Sequence, residues 1–494
     1  MTTGSPLRKI LVFMLPLLIG NVFQQMYSMV DTIIVGQTLG SAALSGVGST
    51  GSISFLILGF VSGLTQGFAI MVSQRRGARD DEGMRRSFAT GIVLTVAIVS
   101  ALTVVAVFIA EPMLAAMNTK PEFFPYALDY ISTIFGGMLL SALYNQFSST
   151  LRAIGDSVVP LLFLILASIL NAGLDCLFIM VFKMGVRGAA AATLLSNGIS
   201  ALLTFIYMWV KHPVLRFKPK HFAPDLKHYA KHLQLGLPMA LQLSVVSVGM
   251  IFGQSALNTM EAEAVTAYVA ATKIDGLACS ILNSTGTATA TYVGQNYGAK
   301  RYDRIKSGVK RFALFTVATS VVLGAIVLAL HRPLVMLFIT EAERTEKLYA
   351  YALTYLLFNA GFYLFLGTLC IARSALQGMG RGTLALGGAA AEVIMRVAVS
   401  LIAMRFSSFT IVSMLNCSSW VGANAMLFPA FLVALKKYVP LTGGGIKDLR
   451  MPCPSAVPFA SPQPQSRKQK LRNASNASKA RRDAKNKNDR ARHA

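Results

Sequence analysis

Charge is what this chain has least of. Only 14% of its 494 residues are Asp, Glu, Lys or Arg, against about 25% in a soluble globular protein, while 54% are hydrophobic. That balance excludes both a water-soluble fold and a disordered chain. Five cysteines (Cys176, Cys279, Cys370, Cys417 and Cys453) stand without paired or C-x-x-C spacing, so neither a disulfide framework nor a zinc site is expected. Only six histidines occur, in loops, helix ends or the tail, and no H-E-x-x-H sequence. Catalysis within a membrane needs such groups gathered in a pocket, so no enzyme and no cofactor are expected. The ten-residue alternations of a membrane β-barrel are missing as well.

What the chain has is long apolar runs. Twelve lie at roughly 10–36, 48–72, 88–110, 125–150, 158–182, 188–210, 232–258, 270–293, 311–337, 348–375, 383–406 and 409–436. About 20 apolar residues cross ~30 Å of hydrocarbon as a helix, so the expected fold is an all-α integral membrane protein with twelve transmembrane helices. Residues Met1–Lys9 are too few for a cleaved leader, which leaves the first helix as an anchor. Lys and Arg number twenty-two in the connections on one side and seven on the other. The positive-inside rule then places both termini in the cytoplasm, with the chain in the inner (cytoplasmic) membrane.

A polar connection, 211–231, divides residues 1–210 from 232–437, and a tail from 438 to 494 follows. From Ile446 on, the tail holds thirteen Lys/Arg and three Asp without interleaved aromatics. It is expected to be disordered and drawn to anionic lipid headgroups rather than to nucleic acid. The two long halves repeat. Leu15-Pro16 matches Leu237-Pro238 at an offset of 222, Gln74-Arg-Arg-Gly-Ala-Arg79 matches Gln295-Asn-Tyr-Gly-Ala-Lys300 at 221, and Leu151-Arg-Ala-Ile-Gly155 matches Leu376-Gln-Gly-Met-Gly380 at 225. Six spans per half is an even number, so the halves run parallel, with a substrate path expected between them.

Asp31 is the only charge between Lys9 and Arg75, and Asp175 the only one between Asp156 and Lys183. An ionisable group at such depth is by default paired, facing a cavity, or functional. Asn171 stands four residues before Asp175, on the same helix face. At ~1.5 Å of rise per residue, Asp31, Thr193 and Asp175 lie roughly 8–12 Å from the outer ends of their helices, with Asn171 one turn deeper. Two carboxylates, an amide oxygen and a hydroxyl suit a small hard cation such as Na⁺, or one proton shared between two acids. A hydrogen-bond network that merely holds the bundle together is the other reading of the same residues.

The second half departs from the first. The offset of 225 places Arg396 where Asn171 stands and Ser400 where Asp175 stands. A guanidinium keeps its proton and repels cations, so a duplicate cation site is not expected. Glu392, one turn before Arg396, is expected to pair with it, and Lys273 and Asp275 are expected at the lipid–water interface. Tyr27, Met138, Tyr144, Phe147, Met250, Phe362 and Tyr363, with Glu392 and Arg396, are the candidates for a substrate cavity. Aromatic and thioether surfaces adapt to flat organic cations.

These residues resemble the multidrug and toxic compound extrusion (MATE) transporters from Ile10 to about Lys437, nearest the DinF-like and MepA-like branches. The resemblance rests on Pro16 with Asp31-Thr-Ile-Ile-Val-Gly36, the Gln-x-x-Gly-Ala repeat, Arg152-Ala-Ile-Gly-Asp156, and Asn171-x-x-x-Asp175 followed by Gly188-Ala-Ala-Ala-Ala-Thr193. It implies two pseudo-symmetric six-helix lobes in a V and a monomeric secondary antiporter. The cargo implied is amphipathic, mainly cationic organic compounds, exported by alternating access against inward H⁺ or Na⁺. The cation-linked cluster it implies falls on Asp31, Asn171, Asp175 and Thr193, with Asn145 a further member. Some relatives have a second acid where this chain has Gln37, which leaves Na⁺ open beside H⁺. A flippase for lipid-linked glycans shares the architecture and is the alternative. It would need a strongly basic central cavity, and the midmembrane bases readable here are few: Arg396, with Lys273 nearer the outer end of its helix.

Overall fold

The computed structural model describes residues 1–117, 119–223, 225–339 and 344–438. Every regular element among them is helical. The first half is built from α1 (Pro6–Ser49), α2 (Gly51–Gly77), α3 (Asp81–Ala116), α4 (Phe124–Gly136), α5 (Met138–Ile154), α6 (Val158–Asp175) and α7 (Val186–Lys211). The second half is built from α8 (Leu226–Leu257), α9 (Ala262–Gly298), α10 (Tyr302–Ala329), α11 (His331–Met336), α12 (Glu346–Gly361), α13 (Tyr363–Gly378), α14 (Gly382–Phe406), α15 (Phe409–Ser413) and α16 (Leu415–Tyr438). The expected basic tail, with Cys453, lies outside the described residues beyond Tyr438. Ten helices are long and apolar enough to cross a membrane, and two bent pairs bring the spans to twelve.

Lipid explains why the surface is greasy. Phe108, Val104, Leu314, Val321 and Ile394 are exposed on helices whose backbone groups are already satisfied internally, the condition for lying in hydrocarbon. Each half has its own packed interior. In the first, Leu114, Ile131, Phe135 and Met138 meet; in the second, Tyr292, Phe312, Tyr355 and Leu369 do.

Spans four and ten were expected to run unbroken over 125–150 and 348–375, and neither does. Helices α4 and α5 meet at 50° at Gly137, and α12 and α13 at 42° at Phe362. One turn before the second break, the Asn359 amide donates to Tyr355 O at 2.9 Å and reaches Ser413 O at 3.3 Å. A side chain that takes up backbone carbonyls in this way loosens the helical ladder. The two breaks lie 225 residues apart, the offset already seen for Gly155 and Gly380, both of which take left-handed backbone (φ 103° and 83°). Arg79 and Lys300, 221 apart, also share left-handed backbone (φ 54° and 55°). The duplication is therefore written in chain conformation as well as in residues.

The connection between the halves is shorter than 211–231. It carries two 3-10 turns, Pro213–Leu215 and Pro219–Phe222, and ends at Asp225, whose carboxylate accepts from the N–H groups of Lys227 and His228 and starts α8. That cap lets α8 begin in polar sequence, before its apolar stretch. Arg86 of α3 pairs with Asp225 at 2.9 Å, and Lys220 and His221 pair with Glu82. These pairs tie the connection to the Lys/Arg-rich end of the first half.

Candidate functional site

Three helices bring the first-half acids together. Asp31 sits on α1 nine residues before Gly40, whose backbone (φ 85°, ψ 177°) breaks that long helix. Asp175 ends α6, where the chain passes into a π-helical turn, Cys176–Val181. Such π turns occur mostly as local insertions at functional positions. Thr193 comes from α7. Asp175 and Asn171 are buried, Asp31 is half-buried, and the two carboxyl groups lie close enough to influence each other. Two carboxylates this near repel unless one carries a proton or a cation stands between them.

The rest of the cluster is oriented by its hydrogen bonds. With the Asn171 amide turned so that its nitrogen faces the acid, it donates to Asp175 Oδ2 at 2.9 Å, and its oxygen accepts from Thr193 N and Thr193 Oγ1, both at 3.2 Å. The Tyr27 hydroxyl donates to Thr193 Oγ1 at 3.3 Å. This leaves Oδ1 of Asp31 and Oδ1 of Asp175 buried with no donor among the described residues. Unfilled acceptor oxygens in apolar surroundings are costly, and they are what a proton or a small hard cation would satisfy. Among the described residues no trio of His, Cys, Asp and Glu gathers, so a Na⁺ here would require Asn171 to turn its amide oxygen toward the two acids, beside the Thr193 hydroxyl. Tyr130 of α4, which the sequence did not single out, packs beside the cluster against Val35, Ile179 and Ala189. Asn145, on the middle of α5, makes none of the hydrogen bonds of the cluster.

The second half also buries an acid, and this corrects the expectation that Asp275 lies at the interface. Asp275 is 5% exposed; Tyr363 donates to its Oδ1 at 2.8 Å and Tyr355 to its Oδ2 at 3.2 Å. Its neighbour on the chain, Lys273, is exposed as expected. The expected Glu392–Arg396 pair is present at 4.0 Å, with a second partner the sequence did not disclose. Glu392 is held more closely by Arg373 of α13 at 2.6 Å, and Arg396 also donates to Asn416 Oδ1 at 2.9 Å. Asn416 in turn donates to the Tyr355 hydroxyl at 3.0 Å. Helical spacing put Glu392 and Arg396 on one face, but Arg373 approaches from a neighbouring helix, which no periodicity within α14 could disclose.

Where the halves meet, the repeated Gln-x-x-Gly-Ala segments cross each other. Gln74 donates to Gly378 O at 2.9 Å, and Gln295 donates to Ala153 O at 2.8 Å; each glutamine reaches into the other half. Ser73 adds a hydrogen bond to Thr291 O at 3.2 Å. A Cβ placed on Gly77 would stand 1.8 Å from the carbonyl oxygen of Gln295, and one on Gly298 would stand 1.8 Å from that of Gln74. Only glycine permits this reciprocal approach of two backbones. The seam closes the Lys/Arg-rich end of the bundle.

Next to the seam lies a cavity of about 240 Å³ bordered by α2, α5, α8, α9 and α13. None of the nine sequence candidates lines it. Met138, Phe147 and Tyr363 are buried in packed interiors, Met250 is exposed, and Phe362 stacks on Phe365 at the break in span ten. Tyr27 belongs to the acid cluster, and Tyr144 reaches Pro160 O at 3.4 Å. Composition alone could not separate aromatic residues that face a chamber from those that fill a core.

A twelve-span helical bundle of two related halves, with buried acids in each and a cavity between them, is the architecture of a membrane transporter. Residues 16–177 and 238–402 each match the MatE family profile, so the chain belongs to that family. It is 29% identical over 425 residues to the "Probable multidrug resistance protein YpnP" of Bacillus subtilis, covering 86% of this chain and 91% of that one. It is 23% identical over 355 residues to the "FAD transporter" of Shewanella oneidensis, covering 71% and 78%. The fold matches a MOP superfamily transporter from Pyrococcus furiosus with a TM-score of 0.81 at 23% identity, over 88% of this chain and 97% of that chain.

Proposed function

We propose that the protein is a secondary antiporter of the cytoplasmic membrane that exports small amphipathic organic compounds by alternating access, driven by inward H⁺ or Na⁺. The observation that carries this reading is the closeness of Asp31 and Asp175 with two orphaned oxygens. Loading a proton or a cation there removes the like-charge repulsion and satisfies those oxygens. The ion therefore has different affinities for an arrangement that holds the acids together and one that parts them, which is the requirement for coupling. The closed seam at Gly77 and Gly298 is the natural partner of that step, since two backbones that interlock this tightly are either engaged or apart. The Lys/Arg-rich end is the cytoplasmic one by the positive-inside rule, so the seam shuts the path from the cytoplasm. The protein works as a monomer in the bilayer, without catalysis.

Mainly cationic cargo follows from the acids and from the family, and names such as YpnP's support an efflux role. The test is dye efflux from proteoliposomes under an imposed pH gradient or an imposed Na⁺ gradient, one at a time. One gradient is expected to drive efflux in the wild type and to fail with Asp31→Asn/Asp175→Asn. Gradient-driven efflux that survives the double substitution would remove the coupling role of the pair.

A further inference from the structure

The cavity between the halves has the opposite polarity to the acid cluster. Of the residues that line it, two are charged, and both are arginines: Arg152 from α5 and Arg373 from α13, with no acid on the wall. Both were counted among the twenty-two Lys and Arg of the connections, because each stands near the basic end of its span. Arg152 spends its Nε on Ser148 O at 3.2 Å and has no carboxylate within ion-pair distance among the described residues. Arg373 has Glu392 at 2.6 Å, but Arg396 draws on the same acid at 4.0 Å, and the Nε atoms of both Arg373 and Arg396 are buried without a partner. Arg373 is offset by Glu392, and Arg396, off the wall, is linked through Asn416 and Tyr355 to the buried Asp275, so the charge left uncompensated on the chamber wall is that of Arg152. Guanidinium does not shed its proton, so burial cannot neutralise this group, and an anion is the remaining way to offset the cost.

The neutral lining has the same preference. Gln377 donates to Gln242 Oε1 at 2.9 Å, and Asn283 Oδ1 accepts from the Cys370 thiol at 3.4 Å. Both contacts occupy amide oxygens and leave the Gln242 and Asn283 amide nitrogens as donors. At about 240 Å³ the chamber is smaller than the roughly 300–1,000 Å³ of a site that encloses a drug-sized ligand. It suits a charged head group with the rest of the molecule outside.

We propose that the wall formed by Arg152 and Arg373 is an anion subsite that takes the carboxylate or phosphate group of an amphipathic organic substrate. The proposal rests on the export reading above but departs from its mainly cationic cargo, assigning the chamber to amphipathic compounds that carry an acidic group, zwitterions included. Planar guanidinium forks bind such groups through paired, charge-assisted hydrogen bonds, while the Asp31/Asp175 cluster, in a different set of helices, is left to the coupling ion.

The test is equilibrium binding to the purified full-length protein in detergent, with no gradient. Two matched probe pairs are used: flavin mononucleotide against riboflavin, which differ by a phosphate, and rhodamine 19 against rhodamine 6G, a free carboxylate against its ethyl ester. The acidic member of at least one pair is expected to bind on the order of tenfold more tightly, with the preference shrinking as salt is raised. Arg152→Gln should abolish most of that preference. Arg373→Gln/Glu392→Gln, which removes the arginine together with the acid it would orphan, should do the same in a folded protein. Lys273→Gln, exposed on α9, should leave it unchanged. No preference in either pair, or a preference kept in both arginine variants, overturns the subsite. An acid preference that stands while gradient-driven efflux fails would sink export and leave the subsite; ethidium efflux with no acid preference would sink the subsite alone.

Discussion

The two halves each bury an acid, and they treat it in opposite ways. In the first, Asp31 and Asp175 are neighbours, and each keeps a buried oxygen without a donor among the described residues. In the second, Asp275 stands alone, and each of its oxygens accepts from a tyrosine hydroxyl. Duplication supplied the same helical frame twice, down to the bent spans and the left-handed glycines. What was filled into the frame diverged. A carboxylate with all its acceptors occupied has nothing to gain from an incoming ion, whereas one with an empty oxygen beside a second acid does. The difference separates a group that responds to an ion from a group that holds a bundle together.

The strongest test of that contrast is the acids themselves. Asp31→Asn and Asp175→Asn are each expected to cut gradient-driven efflux by on the order of tenfold to a hundredfold, the range of a coupling free energy of a few kcal/mol. Asp275→Asn should lower stability and leave the choice of driving ion unchanged. If the gradient dependence of efflux shifted with Asp275→Asn and not with Asp31→Asn, the roles of the halves would be reversed.

At the seam the halves should not differ at all. Gly77→Ala and Gly298→Ala each push a methyl group into a backbone carbonyl of the other half, so both should shift the population away from the closed basic end, and by similar amounts. Spin labels at Arg76→Cys and Arg301→Cys, both exposed, would report longer distances in either variant. A large effect from one glycine and none from the other would show that the crossing is not the reciprocal lock its geometry describes.

Much of this was legible in the residues. Charge scarcity and run lengths disclosed twelve spans, and Asp31, Asn171, Asp175 and Thr193 could be grouped because helical rise converts sequence distance into depth. Two of the three short repeats that revealed the duplication meet at the seam: Gln74, Gly77, Gln295 and Gly298 recur because the same contact is made from both sides, onto Gly378 and Ala153 of the other repeat. What stayed hidden depended on which helices become neighbours. Asp275 looked interfacial because the residue two before it is Lys273; its tyrosines come from α12 and α13, eighty or more residues on. Arg152 and Arg373 looked like residues of basic connections because only the packing of α5 and α13 around a chamber turns them inward.

Tyrosine-to-phenylalanine changes sharpen the comparison at smaller amplitude. Tyr363→Phe leaves Asp275 Oδ1 buried without its donor at 2.8 Å, at a cost of about 1–3 kcal/mol. It should appear as a lower melting temperature with an unaltered profile of efflux against pH. Tyr27→Phe removes a longer hydrogen bond, 3.3 Å to Thr193, from a hydroxyl that still bonds to Asn171. It should cost about 0.5–1.5 kcal/mol, yet move the pH profile, because Thr193 orients the amide that faces Asp175. Equal pH profiles for the two variants would remove Thr193 from the coupling cluster.

The smallest effect belongs to an acid outside the spans, Asp225, which serves as the reference for a carboxylate with a full shell in water. The His228 N–H, then Arg86 and the Lys227 N–H, hold its carboxyl below the usual range. A folded-state pKa below the unfolded one means that the stabilisation is fully present above the unfolded value, near 3.8, and is lost as the pH falls through the lower folded value. Asp225→Ala should therefore lower the melting temperature slightly at pH 7, with the gap from wild type closing as the pH is taken below about 4. Efflux and its choice of ion should be untouched at every pH. A gap that widened in acid would mean that the charged form of Asp225 opposes the fold, contrary to its role as the cap of α8.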